Sequence, residues 1–143
     1  MKQYNSSHIV ACGELNQHGT LFAVKTVSWF VEAALIAASC EHGNSAEVVL
    51  RKINGISFKT PVQYRDIVHL SSRVVYAGKT SLIVYVSAAS DLTGEVAVDG
   101  FATFVTVDHE TGKKKPHSIT LDEPVDQEEI RQRAEAEAIA KAK

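Results

Sequence analysis

The residues best suited to chemistry lie in one stretch, Glu14-Leu15-Asn16-Gln17-His18-Gly19-Thr20-Leu21-Phe22, directly ahead of a long apolar run. A helix that begins there presents unpaired N–H groups and the positive end of its dipole. Beside a polar loop, such an end polarises a carbonyl oxygen or holds an anion. Glu32 is the one carboxylate inside the apolar run. Partial burial there would raise its pKa and suit it to acid–base work. The competing expectation is an ion pair with a cation of the sheet, and on residue type alone that structural role carries more weight. The six histidines, His8, His18, His42, His69, His109 and His117, have no HxH or HExxH spacing, so no metal site is expected from them. No GxSxG, GxxxxGK[ST] or GxGxxG motif occurs. Serine-hydrolase, P-loop and dinucleotide chemistry are therefore excluded on motif grounds.

The elements that must position these groups follow from the apolar pattern. Leu21 to Cys40 is twenty residues and mostly apolar, the length of a membrane span. Lys25 and Glu32 inside it would be expensive in lipid. They are two helical turns apart, and Ser28 and Ser39 fall near the same stripe. The segment predicts a helix over about residues 22–41, buried on nearly every side and ended by Gly43-Asn44. β-rich runs follow at 46–58, with Asn54-Gly55 marking a turn or bulge, and at 66–76, 81–89 and 96–107, with Gly100 as a bulge. Ala77-Gly78-Lys79-Thr80 reads as a hairpin loop with Gly78 available for positive φ, and Asp91-Leu92-Thr93-Gly94 as a second turn. His8 to Cys12 adds a short first strand. One buried helix followed by hairpin-linked strands predicts an α+β fold, a curved antiparallel β-sheet of five or six strands wrapped around one long helix. Residues 1–122 form this domain. Residues 123–143 form a charged, peripheral C-terminal helix or tail, capped at Asp126 and carrying the i,i+4 pairs Glu129–Arg133 and Glu137–Lys141.

Composition bounds the rest. The chain has 143 residues, 45% hydrophobic and 22% charged, which is ordinary for one globular domain. Its net charge of −2 gives no basic stripe for nucleic acid and no basis for a membrane-surface protein. Cys12 and Cys40 are too few for a disulfide scaffold; they read as small buried hydrophobes in a reducing cytoplasm. The polar N-terminus carries no apolar signal-peptide core.

The segment from Asn16 to Ala38 resembles the signature of the hotdog-fold acyl-CoA thioesterases: Asn, two residues, Gly-Thr-Leu-Phe-Gly-Gly, then a helix reading Ser-Trp-Met-Asp-Glu-Ala-Ala. Asn54 to Val62 and Asp66-Ile67-Val68 are similar to that family's strand, proline and Gly-Asp segment. Gly78-Lys79-Thr80-Ser81 is similar to its Gly-Arg-Thr-Ser hairpin, and Phe101 to Asp108 to its last strand. The likeness covers about residues 10–117. It implies a hotdog domain that hydrolyses acyl-CoA to free CoA and a carboxylic acid, needs no metal or other cofactor, and works as a homodimer or a trimer or dimer of dimers. It implies catalytic roles for Asn16, Thr20 and Glu32, with backbone N–H groups of Phe22, Ala23 and Val24 on the thioester carbonyl and Gly19 beside them. Lys79, Thr80 and Ser81 are the expected contacts to CoA, with Lys59 and Arg73 weaker ones; Lys113-Lys114-Lys115 reads as a solvated loop. Two positions depart from the pattern. Val31 stands where the family has its catalytic Asp, and Ala23-Val24 where it has Gly-Gly. A catalytically silent acyl-CoA- or lipid-binding hotdog protein is the alternative that Val31 favours.

Overall fold

The structure, a computed structural model, describes residues 1–142. Five antiparallel strands, β1 (Tyr4–Ile9), β2 (Val48–Phe58), β3 (Ile67–Ala77), β4 (Ser81–Ser90) and β5 (Val96–Thr106), form one sheet in the order β1-β3-β4-β5-β2. The helix α1 (Ala23–His42) packs on one face, and α2 (Gln127–Lys141) lies on the other. This is the hotdog architecture. The first strand begins four residues before the expected one. It reads as polar because it is an edge strand whose Asn5 and Ser7 side chains bond to Ser71 and His69 on β3.

The α1 run is helical because its small and apolar residues recur every three or four positions. Phe30, Ala33, Ala34, Ala37 and Ala38 are buried against Leu70, Leu82, Val84, Val86 and Phe104 of the sheet. Alanines on the contact face let helix and sheet approach closely. Gly43, at φ +90, ends the helix in the left-handed conformation, its N–H donating to Ser39 O. The segment is long and apolar enough to cross a membrane, yet here it is the core helix of the sheet.

The helix is not buried on nearly every side, as the sequence predicted. Val24, Lys25, Ser28, Glu32, Leu35, Ile36 and Cys40 are exposed. A single sheet layer covers only one arc of a helix, so the opposite arc stays open, polar stripe and apolar flanks alike. Cys12 and Cys40 are likewise exposed rather than buried.

The Asn54-Gly55 bulge is present as a register shift between Asn54 and Ser57, with Gly55 at φ +67. Gly100 is not itself the bulge. It lies opposite, and a Cβ on it would come within 2.6 Å of Gly55 O. Gly78 does not take positive φ; a side chain there would meet Ser81 Oγ at 2.5 Å. On the far face, Ala136, Ile139 and Ala140 of α2 cover Val75, Ile83, Tyr85 and Phe101, so α2 is docked rather than frayed. The Asp126 side chain caps it by accepting from Glu129 N–H at 2.8 Å. Its ion pairs are Arg131 with Glu128 and Glu135. The expected Glu129–Arg133 pair does not form, because Glu129 is buried and faces the Met1 nitrogen at 2.7 Å. No Glu137–Lys141 ion pair forms among the described residues.

Candidate active site

The loop before α1 is built on Asn16. Its side-chain carbonyl accepts from the N–H groups of His18 at 2.8 Å and Thr20 at 3.1 Å, and its amide donates to Thr20 Oγ1 at 3.0 Å. Asn16 N–H bonds to Thr20 O, and Gly19 turns the loop at φ +77, a conformation glycine adopts without steric cost. The loop is then pinned to the segment after β2: Leu21 N–H donates to Val62 O at 2.8 Å, and Thr20 pairs with Gln63.

A cleft of about 290 Å³ opens where these pieces meet the start of α1. Leu21, Thr26, Val62 and Val98 form its buried, largely apolar floor, and Asn16, Thr20, Phe58, Lys59 and Thr60 its rim. Ala23 is the first residue of α1 and lines the cleft. The N–H groups of Ala23 and Val24 have no backbone acceptor among the described residues. Phe22 N–H, predicted to join them, instead donates to Glu14 O at 2.8 Å, because Phe22 is the N-cap and its amide closes the preceding loop. An apolar floor, a polar rim and two free helix donors are parts that can bind an acyl group and stabilise negative charge on a carbonyl oxygen.

The structure separates the other predicted residues from this cleft. Glu32 is nine residues beyond Ala23, about 13 Å along the axis and on the opposite side of the helix. It is exposed, and its carboxylate has no hydrogen-bond or ion-pair partner among the described residues. The partial burial expected of it is absent, for the same reason that the rest of its helix face is open. Lys79 and Thr80 lie in the β3–β4 turn and Ser81 opens β4, and β3 runs about 33 Å away from the cleft. There they meet the other end of the molecule: Thr106 N–H donates to Thr80 O, and His117 N–H to Lys79 O. Lys59 does reach the cleft rim, where it pairs with Asp99 at 3.1 Å. Arg73 lies on the outer face, donating to Gln3 and Gln132.

The histidines are dispersed. His8 stacks on Trp29 at 4.4 Å, His42 bonds Glu47, His69 bridges Ser7 and Asp91, and His117 bonds Ser81 O. Glu47, not singled out from the sequence, joins His42 at 2.9 Å and Lys115 at 2.7 Å. The Lys115 ammonium, then the His42 hydrogen bond, hold its carboxyl below the usual carboxylate range. Lys115 is thus an ion-pair member rather than part of a freely solvated loop. Arg65 was also missed. It is the one non-glycine residue at positive φ among those described, at +72. The signal was present: Arg65-Asp66 occupies the position of the family's Gly-Asp pair.

The family model described as the thioesterase superfamily matches residues 18–97. The chain is 32% identical over 123 residues to a protein of Bacillus subtilis (strain 168) named as an uncharacterized acyl-CoA thioester hydrolase, YkhA, covering 82% of this chain and 67% of that one. Among solved structures it is similar to an apo-hexameric acyl-CoA thioesterase, with 31% identity, a TM-score of 0.85, and 97% of this chain and 88% of that one covered. It is also similar to an acyl-CoA hydrolase from Staphylococcus aureus solved with butyryl coenzyme A, coenzyme A and coenzyme A disulfide, with 28% identity, a TM-score of 0.81, and coverages of 97% and 85%. The fold and the site define a hotdog protein that handles acyl thioesters. The chain belongs to the thioesterase superfamily.

Proposed function

We propose that this protein hydrolyses acyl-CoA thioesters, releasing free CoA and a carboxylic acid, in an oligomer whose sites are completed between copies. The observation that carries the reading is the cleft at the start of α1, where Ala23, its N–H unpaired, lines an apolar pocket beside the Asn16–Thr20 loop and the unpaired N–H of Val24 follows it in the chain. The acyl carbonyl accepts from these donors, which are worth most as the oxygen gains negative charge in the transition state. Asn16, held by His18 and Thr20, orients the thioester or the attacking water, and Thr20 supports it. No metal or other cofactor has a part in this chemistry; CoA enters as substrate.

The oligomer follows from what is left open. β2 is an edge strand with Val49, Leu50 and Ile53 exposed, and unpaired edges are normally covered. The open arc of α1 adds Leu35 and Ile36. A second copy laid against both surfaces covers them and brings its own Glu32 arc into the interface. There Glu32 serves as general base from the neighbouring chain, and the distant Lys79–Ser81 turn meets CoA only as part of another copy's site. A similar acyl-CoA thioesterase that is hexameric supports assembly into an oligomer. A reducing cytoplasm is the proposed setting, supported by two free, exposed cysteines.

Free-thiol release from a panel of acyl-CoAs tests the reading: turnover of at least one supports it, and none across the panel overturns it. Val31 favours a second reading, acyl-CoA binding without efficient chemistry, since this half-buried side chain packs on the core where the family has its catalytic Asp. Glu32→Gln separates the two. It lowers turnover about 10²–10⁴-fold if Glu32 is the base. Unchanged turnover in that variant, with a gain in Val31→Asp, identifies the natural protein as a binder.

A further inference from the structure

We propose that Tyr64 and Arg65, at the corner of the loop flanking the cleft, form the site that holds a phosphate of the CoA nucleotide. The proposal rests on the acyl-CoA reading above and extends it to the far end of the same substrate. Gln63 to Asp66 is a β-turn closed by Asp66 N–H donating to Gln63 O at 3.2 Å. Arg65 takes its third position at φ +72, the place that glycine normally fills in a type II turn. The turn is held in that shape from both sides. Arg65 N–H donates to Val10 O, Val10 N–H donates to Asp66 O, and the buried Asp66 carboxylate accepts from Ile67 and Leu92 N–H and from Ser90 Oγ. A strained residue fixed by its surroundings is a pointer to function.

What the strain achieves is the display of one cation. The Arg65 guanidinium lies 5.0 Å from the centroid of the Tyr64 ring, and both side chains are exposed. The ring holds the guanidinium by its flat face and leaves the N–H edge free. The other cations near the cleft are already engaged, Lys59 by Asp99 at 3.1 Å and Lys25 by Glu14 at 3.9 Å. Arg65 meets no carboxylate among the described residues. The turn is continuous with the cleft, since Gln63 pairs with Thr20 and Val62 lines the floor. An arginine edge fits a phosphate with two parallel hydrogen bonds. Coenzyme A carries a diphosphate and a 3′-phosphate at the end remote from its thioester, so a thioester seated at Ala23 leaves those groups to be met outside the cleft.

The test compares S-butyryl-CoA with S-butyryl-pantetheine, which has the same acyl group but no nucleotide. Arg65→Gly is the variant of choice, because glycine suits the turn and keeps the fold. It should raise KM for butyryl-CoA about tenfold, as expected for a solvent-exposed arginine–phosphate pair, and raise it far less for butyryl-pantetheine. Arg65→Lys should restore part of the difference, and the KM for butyryl-CoA should depend less on salt in Arg65→Gly than in the natural protein. Equal effects on both substrates, or no effect on butyryl-CoA, would overturn the proposal. If the natural protein hydrolyses neither substrate, the activity reading falls and calorimetric titration with CoA decides this one: about tenfold weaker binding by Arg65→Gly supports it, while equal or absent binding ends it.

Discussion

The two ends of α1 have been treated in opposite ways. At its C-terminus the helix is closed by its neighbours, although Ser39 Oγ is buried without a partner. Gly43 takes the left-handed cap without strain, and Glu47 ties His42 of the last turn to Lys115 of the chain's later segment. At its N-terminus there is no side-chain cap. Two N–H groups remain without a backbone acceptor, and of the two left-handed positions nearby, Gly19 and Arg65, one belongs to an arginine. One helix thus has a capped end that holds the fold and an uncapped end available to a ligand. Unmade hydrogen bonds at a helix start cost stability unless water or substrate completes them.

The largest expected effect probes the open end. Ala23 is the first helical residue, a position that tolerates proline, and Phe22 before it is already extended at φ −68 and ψ 129. Ala23→Pro therefore removes one N–H while keeping the helix. Steady-state kinetics should show turnover reduced about 10²–10³-fold, with the melting temperature nearly unchanged. Equal loss of stability and activity would break the contrast between the ends.

The closed end should respond the other way. Glu47→Gln should keep most of the activity and lower the melting temperature by several degrees, because Lys115 loses its counter-charge. The pH dependence has a definite sign. The native carboxyl titrates lower than in the unfolded chain, so its contribution is complete above the ordinary glutamate value and is lost as pH falls through the native one. Thermal melts of the two proteins should converge in acid. A gap that widens there would contradict the ion-pair assignment.

Smaller effects compare the two left-handed positions. Gly43→Ala imposes the left-handed penalty and should destabilise by about 1 kcal/mol in denaturant titrations. Arg65→Gly removes the same penalty, offset by the entropy of a new glycine, and should stabilise by up to about 1 kcal/mol. Matching signs in these two measurements would show that Arg65 is not held against a preference.

The sequence alone determined the elements. An apolar run interrupted by Lys25 and Glu32 and stopped by Gly43 is a helix wherever it packs, and α1 spans Ala23–His42 within a residue of the expected range. Asn54-Gly55 marked a real bulge, and four of the five strands were legible from their β-branched runs. These are local matters, decided by φ preferences and by residues within a few positions of one another. The segment around Asn16 was legible too, because an Asn and a Gly four and one residues before a turn's end act on their own backbone. Only the tertiary structure decided which side of α1 meets the sheet. It thereby left Glu32 outside, used up the Phe22 N–H, and carried the Lys79–Ser81 turn to the opposite end from the cleft. It also fixed Arg65, which the sequence marks only as standing at the family's glycine position, in a glycine's conformation beside the site. Those outcomes depend on pairings between strands far apart in the chain, whose register fixes where each side chain faces, and no local preference encodes them.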